Sequence, residues 1–269
     1  FMASKKILVP ALAAALLFST PKISHEGTCS KKLITEFYRK VYNEEAMKTK
    51  NEKNFCYELA KKIYMMEKDI KEKISDYSEQ LVKNGEISPF QAELLKRSAH
   101  LWPLIKFHAK RIDPDPSLPY FHYVLMSAEN DFLDKTSSAG ALGKCQLLPS
   151  TAKWLLKIKD PFINPKGIKY DENGNITWIS DENSIILSLH FVKFLKEYLK
   201  KDYDEGCLEI YNAYVFGFEN KNFEKSSHLV RFYNRLNDIK LTKYIEEFII
   251  LFVIDHKDDP MQLAHHIHP

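Results

Sequence analysis

The stretch SAENDFLDKTSSAGALGKCQLLPSTA, residues 127 to 152, decides how this chain is read. A single acid, Glu129, stands at the end of the apolar segment YFHYVLMSAE. Behind it comes a run of small residues, Ser137-Ser138-Ala139-Gly140-Ala141, and then Gly143-Lys144-Cys145-Gln146. A carboxylate ending a buried helix is partly desolvated and faces the negative end of the helix dipole. Both effects favour the protonated form, which is what a general acid needs near neutral pH. The small residues and glycines permit tight turns and a close approach of backbone to a ligand. Gln146 carries an amide that donates and accepts, suited to hydroxyl and N-acetyl groups. Taken alone, Glu129 also fits a plain surface glutamate at a frayed helix end.

Working outward, the pattern is helical on both sides. Phe55, Leu59, Ile63, Met66, Ile70, Ile74, Tyr77 and Leu81 step by three and four. That spacing predicts one long helix with a continuous apolar stripe, packed within a helical hairpin or small bundle rather than reserved for a partner. Asn84-Gly85 predicts its end, Ser88-Pro89 a new helix start, and Pro103 a bend in that next helix. Asp113-Pro114-Asp115-Pro116 and Pro119 interrupt helix and mark a boundary. Helices are expected again at 120–129, 147–158, 181–199, 205–215, 228–236 and 241–255. Asn173-Gly174, between Tyr170 and Trp178, predicts a turn or small hairpin. No alternation of strand and helix supports a parallel sheet.

At 269 residues with 45% hydrophobic content, the chain is long enough for one or two cores. The net charge of +3 suits an anionic polymer such as a cell wall without requiring one. Lys and Glu are interleaved and no reading motif gathers the basic residues, which argues against nucleic-acid binding. Lys5-Lys6 precede an apolar run from Ile7 to Phe18, followed by polar residues and Pro21. That is the pattern of an export signal, and the run is short for a membrane span. Export places Cys29, Cys56, Cys145 and Cys207 in an oxidising compartment. Cys29–Cys56 with Cys145–Cys207 is one of three full pairings, and buried free thiols are the other reading. Asp171 to Asn175 fails the calcium-loop spacing and reads as a hairpin tip. His265, His266 and His268 sit in a polar tail, and no metal site is expected. Trp154 and Trp178 are candidates for stacking on sugars, with core packing the default for Trp154.

Three blocks in order resemble the lysozyme-like soluble lytic transglycosylase domain of bacterial cell-wall enzymes. That family carries Glu-Ser, then Gly-Leu-Met-Gln, then Ala-Tyr-Asn-Ala-Gly. Here they stand as Glu129-Asn130, as Gly143-Lys144-Cys145-Gln146 between SSAGA and LLPSTA, and as Ile210-Tyr211-Asn212-Ala213-Tyr214. The likeness covers about residues 118 to 225. Asn130 replaces the family's serine, Lys144-Cys145 its Leu-Met, and Tyr214 its last glycine. The resemblance implies a mainly α, lysozyme-like (α+β) fold with a small hairpin. With the residue patterns above, the expected layout is an export signal at 1–24, a helical N-terminal region at 30–112, a lysozyme-like catalytic domain, as the resemblance implies, at 113–255 and a polar tail at 256–269.

It implies Glu129 as the one acid and base, cleaving the bond between N-acetylmuramic acid and N-acetylglucosamine and forming a 1,6-anhydro sugar without a cofactor. Ser137, Gln146, Tyr211, Asn212 and Asn130 are the implied substrate-binding residues. The partner is the peptidoglycan strand, and the place periplasmic or secreted. Two alternatives stay open. One is a goose-type lysozyme-like hydrolase, which needs a second acid such as Asp131 or Asp134. The other is a non-catalytic wall-binding or scaffold protein.

Overall fold

The computed structural model describes residues 50–217 and 226–255. The proposed export signal, Cys29 and the histidines of the tail lie outside the described residues. The architecture is mainly helical, with one small antiparallel hairpin, as the sequence predicts.

The long stripe folds as two helices, α1 (Lys50–Met65) and α2 (Glu67–Lys83). They part at Met66, whose backbone leaves the helical region at φ −84°, ψ 23°. The Met66 amide is shared between the carbonyls of Lys62 and Ile63, both at 3.1 Å, so the turn tightens there. The stripe survives the break: Leu59, Ile63, Ile70, Ile74 and Leu81 are all buried. Asn84-Gly85 ends α2, with Gly85 in the left-handed region.

Helix α3 (Pro89–Ser98) opens on a reciprocal capping box between Ser88 and Gln91. The bend expected at Pro103 is a full break. Residues 99–101 form a turn and α4 (Trp102–Ile112) starts anew with Pro103 in its first turn. Pro103 has no amide to offer the Ala99 carbonyl, so the helix cannot run through. The Asp113-Pro114-Asp115-Pro116 break is a hydrogen-bonded turn: Asp113 accepts from the Asp115 amide at 3.0 Å and from Tyr203 Oη at 3.0 Å.

Helix α5 (Leu118–Asn130) is the centre of the molecule, with every residue but one from Leu118 to Ala128 buried. A helix apolar on all sides belongs inside a core. The later α-helices among the described residues are α6 (Pro149–Leu155), α7 (Asp181–Leu199), α8 (Cys207–Phe216), α9 (Ser227–Arg235) and α10 (Lys240–Asp255), of which α9, together with α4, packs directly along α5. The hairpin pairs β1 (Ile168–Tyr170) with β2 (Ile176–Ile179). At its tip Asp171 accepts from the Asn173 amide and from the amide and side chain of Asn175, which makes the acidic stretch a turn and not a cation loop.

The break at 113–116 does not divide the core. One buried apolar cluster runs from Cys56 in α1 to Phe252 in α10. The last helix returns to the first ones: Trp102 Nε1 and Lys106 Nζ donate to Glu246 at 3.1 and 2.8 Å, and Tyr244 Oη donates to Glu86 at 3.1 Å. Among the described residues, no helix is long and apolar enough to cross a membrane.

Candidate active site

Glu129 occupies the last turn of α5. Its Oε1 is buried and has no hydrogen-bond partner. Burial pushes its carboxyl above the usual range; Tyr211 and Arg231 pull the other way without overcoming it. Tyr211, on α8, brings its phenol towards the carboxylate but closes no regular hydrogen bond, so its own buried oxygen is also unpaired. The Tyr211 ring is fixed from behind by Phe232 of α9, stacked at 4.1 Å. Two unpaired polar oxygens facing one another in a protein interior are costly unless a ligand completes them.

The chain leaves α5 through two consecutive left-handed residues, Asp131 (φ 57°) and Phe132 (φ 61°). Phe132 is buried and anchors the loop that carries the small residues. The loop closes on itself through Leu142 and Leu147, whose backbones exchange hydrogen bonds of 2.8 and 3.1 Å. Gly143 sits at φ +69°, and a β-carbon there would meet Ser184 Oγ at 3.1 Å, so α7 approaches the loop at a position without a side chain. The Gly143 carbonyl accepts from Asn130 Nδ2 at 3.2 Å and Gln146 Nε2 at 2.7 Å, and Gln146 Nε2 also reaches the Lys135 carbonyl at 2.6 Å. Asn130 and Gln146 are thus brought together, with their amide nitrogens spent on the loop. Ser137 caps the same loop, accepting from the Ala141 amide at 3.0 Å, which is the plain reading of that residue. Asn212 follows Tyr211 on α8 and is buried.

Lys144 points inward. Its ammonium lies 2.6 Å from Asp181 Oδ2 in the first turn of α7, and Tyr64 of α1 donates to the same oxygen at 3.4 Å. Cys145 is buried, with Sγ 3.9 Å from His122 Nε2, and burial pushes its thiol up to about 12. Its carbonyl accepts from Tyr214 Oη at 2.7 Å. Cys145 and Cys207 are both free and buried, which overturns that half of the disulfide pairing. Of the Cys29–Cys56 half, Cys56 is buried in α1 and Cys29 lies outside the described residues.

The chain matches no family model, no curated protein and no solved structure. The site therefore rests on its own geometry.

Sequence reasoning missed Arg231 and Arg235. Asp131, weighed as a second acid, is held by both: Arg231 Nη2 at 3.0 Å and Arg235 Nη2 at 2.8 Å. Two arginines four apart on a predicted helix were the available signal. Asp134 is exposed. Trp154 is 43% exposed and packs edge-on against Phe194 at 5.0 Å, so it is not a core residue. Trp178 lies under Lys169 Nζ at 5.0 Å on the hairpin.

Proposed function

We propose that this chain is an exported peptidoglycan lytic transglycosylase in which Glu129 is the single acid and base. The observation that carries the reading is the buried, unpaired Oε1 of a carboxyl pushed up by burial, next to an unpaired tyrosine hydroxyl. A carboxylic acid kept protonated has a proton to give to a glycosidic oxygen. In the proposed reaction that proton passes from Glu129 to the oxygen leaving the muramic acid C1. The C1–O bond breaks and N-acetylglucosamine departs. The Glu129 carboxylate then takes the proton of the muramic acid 6-hydroxyl as its oxygen bonds to C1. Glu129 ends as it began, and no water or cofactor is consumed. Tyr211 steadies the carboxylate form between the two transfers.

The hydrolase alternative asks for a second carboxylate across the bond. Asp131 is engaged by two guanidinium groups, which leaves it poorly suited to activate water. The scaffold alternative gives no role to an unpaired buried acid. The test is digestion of purified sacculi by wild type and by Glu129→Gln. Solubilisation by the wild type alone supports the reading, and equal solubilisation by both removes Glu129 from it.

A further inference from the structure

Trp154 stands on α6 at 43% exposure, and it does not stand alone. Its ring packs edge-on against Phe194 at 5.0 Å and Phe191 at 6.3 Å, both on α7. Phe194 stacks on Tyr198 at 5.9 Å, one turn further along α7, and Tyr198 is 55% exposed. Four aromatic rings thus form one joined strip across α6 and α7. Ile158, one turn beyond Trp154, is exposed as well. Single apolar side chains on a surface are ordinary, whereas a joined strip of rings open to solvent marks a contact surface. The strip adjoins the site loop: Phe191 lies 5.3 Å from Tyr214, whose hydroxyl donates to the carbonyl of Cys145, the neighbour of Gln146.

The charge beside the strip is of one sign. From Pro149 to Lys159 the chain carries Lys153, Lys157 and Lys159, all exposed, and no acid. On α7, Lys196 is taken up by Asp113 and Asp115, and Glu197 lies 3.7 Å from Lys193. Flat rings with negative faces meet the C–H faces of sugars, and exposed ammonium groups meet carboxylates. A lipid surface fits less well. Helix α6 has seven residues and offers one Trp and one Ile, far short of the apolar face by which an interfacial helix enters lipid.

We propose that this strip is a second glycan-binding surface, taking sugar rings of the wall polymer on Trp154 and Tyr198 and the polymer's carboxylates on Lys153, Lys157 and Lys159. The choice of polymer rests on the reading of the chain as a wall enzyme.

The test is co-sedimentation of the full chain with purified sacculi, in the Glu129→Gln background so that binding is read without cutting. Adding Trp154→Ala weakens binding by about tenfold, the worth of one ring contact, and Trp154→Tyr keeps most of it. Adding Lys153→Gln with Lys157→Gln weakens binding and flattens its dependence on salt. Binding that none of these changes alters overturns the strip. So does binding to vesicles of phosphatidylglycerol in its place, or a dimer that Trp154→Ala dissolves, which would give the face to lipid or to a second copy. If Trp154→Ala does not fold, Tyr198→Ala is read for the same loss, and unchanged binding overturns the proposal equally. Cleavage is scored separately: sacculi bound through Trp154 but left uncut by the wild type would sink the proposed activity and leave the strip standing.

Discussion

Lys144 Nζ lies 2.6 Å from Asp181 Oδ2, joining the loop behind Glu129 to the first turn of α7, where Tyr64 of α1 reaches the same carboxylate. Both charged side chains are largely buried, so the pair is a substantial tie between the site loop and the N-terminal helices. Lys144→Met leaves Asp181 uncompensated and lowers stability by about 2 kcal/mol, read by urea unfolding. A double-mutant cycle with Asp181→Asn shows coupling of about 1 kcal/mol or more. Additive effects would mean the tie contributes nothing.

Tyr211→Phe removes only the hydroxyl that faces Glu129 and keeps the ring on Phe232. The fold is retained and the acid, losing a group that favours its carboxylate form, titrates at higher pH. Turnover of sacculi falls by roughly tenfold or more. Full activity with an unchanged pH profile would exclude the phenol from the site.

Glu129 also marks the stability curve. Its folded carboxyl is raised above the unfolded value of about 4.3, so the folded state is relatively favoured below that pH. That contribution is lost as pH rises through the folded value. Glu129→Gln therefore matches wild type in acid and becomes the more stable protein at neutral pH. Thermal melts across pH check this, and a constant difference would contradict it.

Glu182 has the opposite sign. Burial pushes it up, but His108, Lys61 and Tyr57 hold it at about 2. Its stabilisation is present above the ordinary glutamate range and is lost as pH falls towards 2. Lys61→Met leaves this carboxylate uncompensated and costs roughly 3 kcal/mol at neutral pH, the deficit shrinking on acidification. A deficit independent of pH would show that the ion pair is not its source.

Burial pushes the Cys207 thiol to about 11 and the Cys145 thiol to about 12, so neither reacts with an alkylating agent while the chain is folded. Both react after unfolding without reductant, as mass spectrometry of peptides will show. A disulfide-linked peptide joining them would contradict the structure.

Much of the architecture was legible. The stripe from Leu59 to Leu81, the Ser88 cap, the Asn173-Gly174 turn and the later helices follow from periodicity and turn chemistry, which are local. The break at Met66 was not legible, because the apolar spacing continues through it. The single core was not legible either, because proline spacing marks where a helix stops and not what α10 packs against. At the site, Glu129 stood out by its place at the end of an apolar helix. Its meeting with Tyr211, and the capture of Asp131 by Arg231 and Arg235, depend on how α8 and α9 cross α5. Such long-range pairings leave no spacing in the chain.

The most direct test of the central claim is mass spectrometry of the muropeptides released from purified sacculi by the protein. The account predicts 1,6-anhydro-muramyl ends, as the 6-hydroxyl displaces the leaving sugar under Glu129. Reducing ends would make water the acceptor and contradict the lyase, and no release by the folded protein would contradict the enzyme.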